Sequence, residues 1–198
     1  MKHFLFLLFV FVVQGVSSQE NNSVRFGIKA GANFSHINFS KGSSPQQSPI
    51  PTTWEPGMVA GVVVVIPLAY NFYFQPEYLF SQMGGKFENE DRQLAINYAS
   101  LPVLLKWEFL DKFSLFMGPQ FDLLINAKER IGNNEYDLNH DIEHRSIFIT
   151  VGLEYYFTNN MGMGIKYMHG FNHIDIVREN GNQEFKYEGL QFSLQYLF

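Results

Sequence analysis

The chain contains no cysteine in 198 residues, which excludes a disulfide scaffold, thiol catalysis and lipidation behind a lipoprotein leader. Charge is scarce as well: Asp, Glu, Lys and Arg make up 17% of the residues, against about 25% in ordinary globular chains. No apolar run is long enough for a membrane-spanning helix, which needs roughly 20 residues. The run at 58–69 is too short, rich in valine and interrupted by Pro67. Basic residues are few, 14 against 19 acidic for a net charge of −5, and no basic patch exists, so nucleic acid is not a partner.

Aromatics are what the chain has in excess. They reach 17%, with 21 Phe and 10 Tyr. Many rings and few charges suit a surface that meets lipid. The amino terminus has the three parts of an export signal: Lys2 with His3, the apolar stretch 4–13, and Val16-Ser17-Ser18 as the small-residue cleavage site. Residues 1–18 are therefore expected to be a cleaved signal peptide, and 19–198 one mature domain. Losing Lys2 makes the mature chain one charge more negative.

Period-two alternation predicts eight strands, at residues 24–35, 57–66, 71–83, 96–109, 113–125, 146–157, 161–170 and 187–198. The first sets Phe26, Ile28, Ala30, Ala32 and Phe34 against Arg25, Gly27, Lys29, Gly31 and Asn33. The second is almost continuously apolar and fixes no register. Connections alternate in length: 67–70, 110–112 and 158–160 are tight, whereas 38–56, 84–95, 126–145 and 171–186 are long. The first long connection carries the Ser/Pro-rich stretch SKGSSPQQSPIPTT. This pattern predicts an all-β fold, an eight-stranded antiparallel up-and-down transmembrane β-barrel. It would have short periplasmic turns, four long extracellular loops and both termini in the periplasm.

A soluble barrel also has two-faced strands, with the apolar face turned inward. Three features favour the membrane form. The polar face is rich in glycine (Gly27, Gly31, Gly118, Gly152, Gly162, Gly164), which suits a crowded lumen. The apolar face is bulky and aromatic, more than an eight-stranded interior could hold along with a ligand. Finally, Phe26, Trp107, Phe109, Phe113, Tyr155, Phe157, Tyr196 and Phe198 fall near the tight-turn ends, where an interfacial girdle belongs. The final residues, LQFSLQYLF, read as a closing strand, with Tyr196 and Phe198 as a terminal assembly signal for the barrel-assembly machinery.

The segments FGIKAGANFS (26–35), YASLPVLLKW (98–107), GPQFDLLI (118–125), VGLEYYF (151–157) and GIKYMHGFNHI (164–174) resemble the PorT-like outer-membrane β-barrel family of the Gram-negative Bacteroidota. The resemblance implies an eight-stranded barrel delivered to the outer membrane after secretion. The name-giving member takes part in protein secretion. These motifs mark strands and not a catalytic site, so the resemblance implies fold and location and assigns no functional residues.

Eight strands close too tightly for a wide channel. The predicted lumen places Arg25, Lys29, Lys106 and Lys166 with Glu77, Glu108, Asp122 and Glu154, four bases with four acids. Balanced buried charges read as an ion-pair network holding the barrel shut, in preference to a proton path. His36, His140, His144, His169 and His173 gather at the long-loop rim. His140 and His144, with Asp141 or Glu143, are candidate metal ligands, although HDIEH has no established ligand spacing. For catalysis, Ser35 and His36 are neighbours on a strand and point to opposite faces; His173 and Asp175 share a face but lack a second acidic pair.

The sequence thus points to a non-enzymatic integral outer-membrane protein with a packed lumen and no cofactor. Its partners would be outer-membrane lipid, lipopolysaccharide and an unidentified protein bound through the loops in secretion, adhesion or envelope assembly. The alternative is an outer-leaflet lipid-modifying or hydrolytic enzyme. Deleting Phe198 should lower the amount of protein in the outer membrane while refolding in detergent stays intact; normal membrane levels of the truncated chain would count against an assembly role.

Overall fold

A computed structural model describes residues 23–42, 52–87, 91–139, 142–171, 174–176 and 183–198. The expected signal peptide lies outside them. Eight strands form the barrel: β1 (Arg25–Gly42), β2 (Glu55–Ala69), β3 (Phe72–Phe87), β4 (Arg92–Leu110), β5 (Phe113–Ile131), β6 (Arg145–Tyr156), β7 (Met161–Gly170) and β8 (Gln183–Leu197). Each pairs antiparallel with the next, and β8 returns to β1. In that closing ladder Gly27 faces Leu197 and Phe34 faces Leu190. Just beyond it the Phe198 N–H donates to the Phe26 carbonyl at 2.8 Å. Closure leaves the barrel wall no free edge, which is the condition for crossing lipid with strands.

Side chains divide as the alternation predicts. Ile28, Leu105, Met117, Ile149, Leu153 and Leu194 are exposed on the outside, whereas Lys29, Glu77, Lys106, Asp122, Glu154, Lys166, Gln191 and Gln195 are buried inside. Strand β2, whose register the sequence leaves open, pairs Val63 with Gly27 and Val62 with Ile28. That turns Val59, Val63 and Val65 into the lumen, and Met58 and Val62 outward. At the tight-turn rim the outer surface becomes aromatic. Trp107 stacks on Phe72 at 6.2 Å, Phe113 meets Tyr155 at 4.6 Å, and Tyr196 meets Phe198 edge-on at 5.4 Å.

Strands run further toward the long-loop rim than alternation predicts. Strand β1 continues to Gly42, and β5 to Ile131. Most of the expected second long loop, 84–95, is strand, with only 88–91 between β3 and β4. Much of the third is a hairpin: Gly132 takes φ +57°, and Asn134–Asp137 folds back on β5. Beyond the apolar belt the two faces exchange character: Leu94, Ile96 and Tyr98 turn into the lumen while Gln93, Ala95 and Asn97 lie on the other face, so apolar-outward alternation no longer marks the strand although the backbone ladder continues. A bulge also resets the phase. Asn97 pairs with Asn126 but Tyr98 with Leu124, leaving Ile125 as the extra residue and turning Ala127 and Glu129 inward.

Above the tight-turn mouth the lumen is packed with side chains. Near the tight turns Val63, Val65 and Leu197 pack with Tyr73 and Tyr156. Toward the long loops an apolar plug contains Met83, Leu94, Ile96, Tyr98, Phe148 and Met168, capped by Leu138 and Ile142 from the third loop. Polar side chains occupy the level between. Glycine makes this density achievable where backbones crowd: a Cβ on Gly31 would run into the backbone carbonyl of Phe192 on β8. Gly31→Val should therefore destabilise the β1–β8 closure by about 1–3 kcal/mol, seen as loss of the compact, heat-modifiable form on gels; an unaltered melting temperature would contradict this packing.

Candidate functional site

The polar level is built around one carboxylate. Glu154 enters from β6 and is buried. Its Oε1 accepts from Lys29 Nζ of β1 at 3.3 Å and from Gln75 Nε2 of β3 at 3.2 Å. Its Oε2 accepts from Lys106 Nζ of β4 at 2.7 Å and from Gln195 Nε2 of β8 at 3.2 Å. Four donors thus reach it from four strands. A second carboxylate, Glu77, takes the Lys29 ammonium directly and accepts from Gln75 at 2.9 Å. Lys106 also donates to Tyr156 Oη at 3.0 Å and sits 4.5 Å from the centre of that ring. Gln195 hydrogen-bonds the same phenol. Two ammonium groups against two carboxylates make the knot neutral, as burial of charge demands.

The other four predicted lumen charges are placed elsewhere, because strand tilt spreads the polar face along the barrel axis. Lys166 donates to Gln120 Oε1 at 3.0 Å, and Gln120 Nε2 donates to Asp122 at 3.0 Å, so one amide bridges this acid and base. Arg25 lies at the tight-turn mouth, its Nη2 donating to the Asn159 carbonyl at 2.7 Å. Glu108 lines the same mouth, around a cavity of about 290 Å³ shared with Tyr73, Lys106 and Tyr156. The eight residues thus fall into a knot, a bridged pair and a mouth. Gln75, Gln120 and Gln195 join them as donors. Their place on the polar face was legible, but nothing in the pattern marked them as bridges.

Among the described residues the rim histidines do not converge. His140 and His173 lie outside the described residues, and so does Asp141. His144 is exposed, and its backbone carbonyl accepts from Leu124 N–H at 2.9 Å. His36 Nε2 lies 3.1 Å from Thr52 Oγ1, and its ring tilts over Trp54 at 5.6 Å. His169 Nδ1 lies 3.5 Å from Glu188. Among the described residues no three His, Asp or Glu side chains are placed to hold a metal ion. Ser35 does not meet His36 either: its Oγ donates to the Gly84 carbonyl at 2.9 Å inside the barrel.

A closed barrel with an apolar exterior and a charged, packed interior narrows the affiliation, and comparison with known proteins completes it. The family model described as outer membrane protein beta-barrel domain matches residues 14–175. The chain belongs to that family. It is an integral outer-membrane barrel, and its apolar belt faces lipid. No curated protein sequence matches it.

Solved barrels share the fold at low identity. Neisserial surface protein A is 13% identical with a TM-score of 0.55, covering 89% of this chain and 99% of that one. AlkL, solved in lipid bilayers, is 11% identical with a TM-score of 0.52, covering 92% and 93%. OprG from Pseudomonas aeruginosa is 12% identical with a TM-score of 0.50, covering 89% and 97%. Within the described residues no helix is long and apolar enough to cross a membrane; the crossing is made by strands.

The geometry ranks the lumen charges. Glu154→Gln leaves two buried ammonium groups with one carboxylate between them and should cost about 3–5 kcal/mol. Lys166→Met removes a cation that touches only an amide and should cost clearly less. Urea unfolding in detergent micelles, followed by circular dichroism, gives both values; equal losses would show that Glu154 is not the hub.

Proposed function

We propose that the protein is a non-enzymatic outer-membrane scaffold whose long-loop rim binds a partner in secretion, adhesion or envelope assembly. Both termini and the tight turns face the periplasm in this reading. The observation that carries it is the filled lumen: the neutral charge knot and the apolar plug block the axis, leaving the rim as the working surface. The membership in the PorT-like barrels of Bacteroidota belongs to the same proposal, supported by the strand segments that resemble them.

The rim has a feature suited to recognition. Residues 126–137 form a hairpin in which Asn134–Asp137 continues the sheet beyond β6. Ile131 and Tyr136 are exposed on it. Lys128 and Glu135 pair at 2.6 Å, with Arg130 at 3.8 Å from the same carboxylate. An exposed ring and an aliphatic side chain among paired surface charges supply apolar anchor area inside a polar frame, the usual composition of a contact surface.

The test is crosslinking in whole cells through a photoreactive residue at Tyr136, followed by identification of the captured envelope component. Replacing 128–137 with a short Gly-Ser turn, which removes the photoreactive position, should abolish capture of the same component by a chemical crosslinker while the barrel still folds and reaches the membrane. Capture that survives this replacement would move the contact to another loop. A change in the lipid A mass profile between cells with and without the protein would favour the lipid-modifying enzyme instead.

A further inference from the structure

The outer wall is not evenly convex. Between β6, β7, β8 and β1 it carries an apolar groove of about 490 Å³, lined by Ala30, Leu153, Met163, Ile165, Phe192 and Leu194. The wall is concave here because Ala30 is a short outward side chain beside the bulkier Phe192, Leu194, Met163 and Leu153, and the backbone of the lumen-side Gly31 and Gly164 reaches the groove. We propose that this groove is a specific binding site for one acyl chain of a phospholipid in the leaflet on the tight-turn side.

The height of the groove selects that leaflet. Met163, Leu194 and Ala30 share one cross-strand row, since Leu194 pairs with both of the others. Met163 in turn pairs with Tyr155, and Tyr155 with Phe113. The groove therefore starts at the aromatic girdle, where the Phe113 and Tyr155 rings meet at 4.6 Å, and extends into the apolar belt. A lipid seated there has its glycerol region at the girdle and its chain against β7 and β8. The shape argues for a chain and against a second barrel, because a rigid convex wall cannot enter a furrow between strands while a flexible chain can. Apolar lining gives a chain no hydrogen bond to lose, and the contact gains dispersion along the length of the furrow.

The choice of phospholipid over lipid A rests on the orientation proposed above, with the tight turns in the periplasm. The test is native mass spectrometry of the whole protein extracted from outer membranes in mild detergent. The expected result is one phospholipid retained per barrel, with Ala30→Trp lowering retention at least tenfold. Leu105→Trp, on the exposed face of β4 and away from the groove, should leave retention unchanged. Met163→Trp fills the groove from the opposite wall and serves if Ala30→Trp fails to reach the compact, heat-modifiable form. No retained lipid, or retention unaffected by either groove variant, would overturn the site. Lipid A in place of phospholipid would overturn the assigned leaflet, and a dimer that persists in place of the adduct would make the groove a protein contact. None of these outcomes depends on the rim partner, so the two proposals fail separately.

Discussion

The structure depends on keeping buried charge neutral inside a closed wall of eight strands. Glu154 meets that demand with donors from Lys29, Gln75, Lys106 and Gln195, and so ties β1, β3, β4 and β8 to β6 across the lumen. Hydrogen bonds in the wall fix only neighbouring strands. A carboxylate that must find its donors across the barrel fixes strands that never pair. Register follows from this, since slipping a strand by one residue would send its lumen charge to the lipid face. Buried ion pairs give little net stability by themselves; their worth here lies in specifying one arrangement of eight strands.

The apolar plug does the complementary work. Leu138 and Ile142 drop from the third loop onto Leu94, Ile96, Tyr98 and Phe148 and seal the long-loop end. The charge knot thus occupies the middle of the barrel between two apolar clusters, with Arg92 paired to Glu129 beside Phe87 at the long-loop end, and together these block the axis. What remains accessible is the rim, the mouth cavity beside Arg25 and the lipid-facing wall. Function has to be sought on those surfaces.

Much of this was legible in the sequence, for a physical reason. A barrel strand meets lipid on one face and a polar lumen on the other, so alternation records both, and the inward places of Lys29, Glu77, Lys106, Asp122, Glu154 and Lys166 follow from it. Strand β2 was opaque because Val59, Val63 and Val65 fill an apolar part of the lumen, which makes its two faces alike. Strand ends past the belt were opaque because the lumen face turns apolar there, with Leu94, Ile96 and Tyr98 inside, which reverses the apolar-outward alternation. The bulge at Ile125 broke the pattern where β5 leaves the belt. Leu138 and Ile142 sit in a polar loop, and only the fold shows that they turn inward.

Single-channel recording of the purified barrel in planar lipid bilayers tests the central claim most directly. A lumen closed by the Glu154 knot and the apolar plug predicts a quiet baseline, with no sustained open level at moderate voltage. A stable, long-lived conductance from the native protein would contradict it and would return the search for function to the barrel axis.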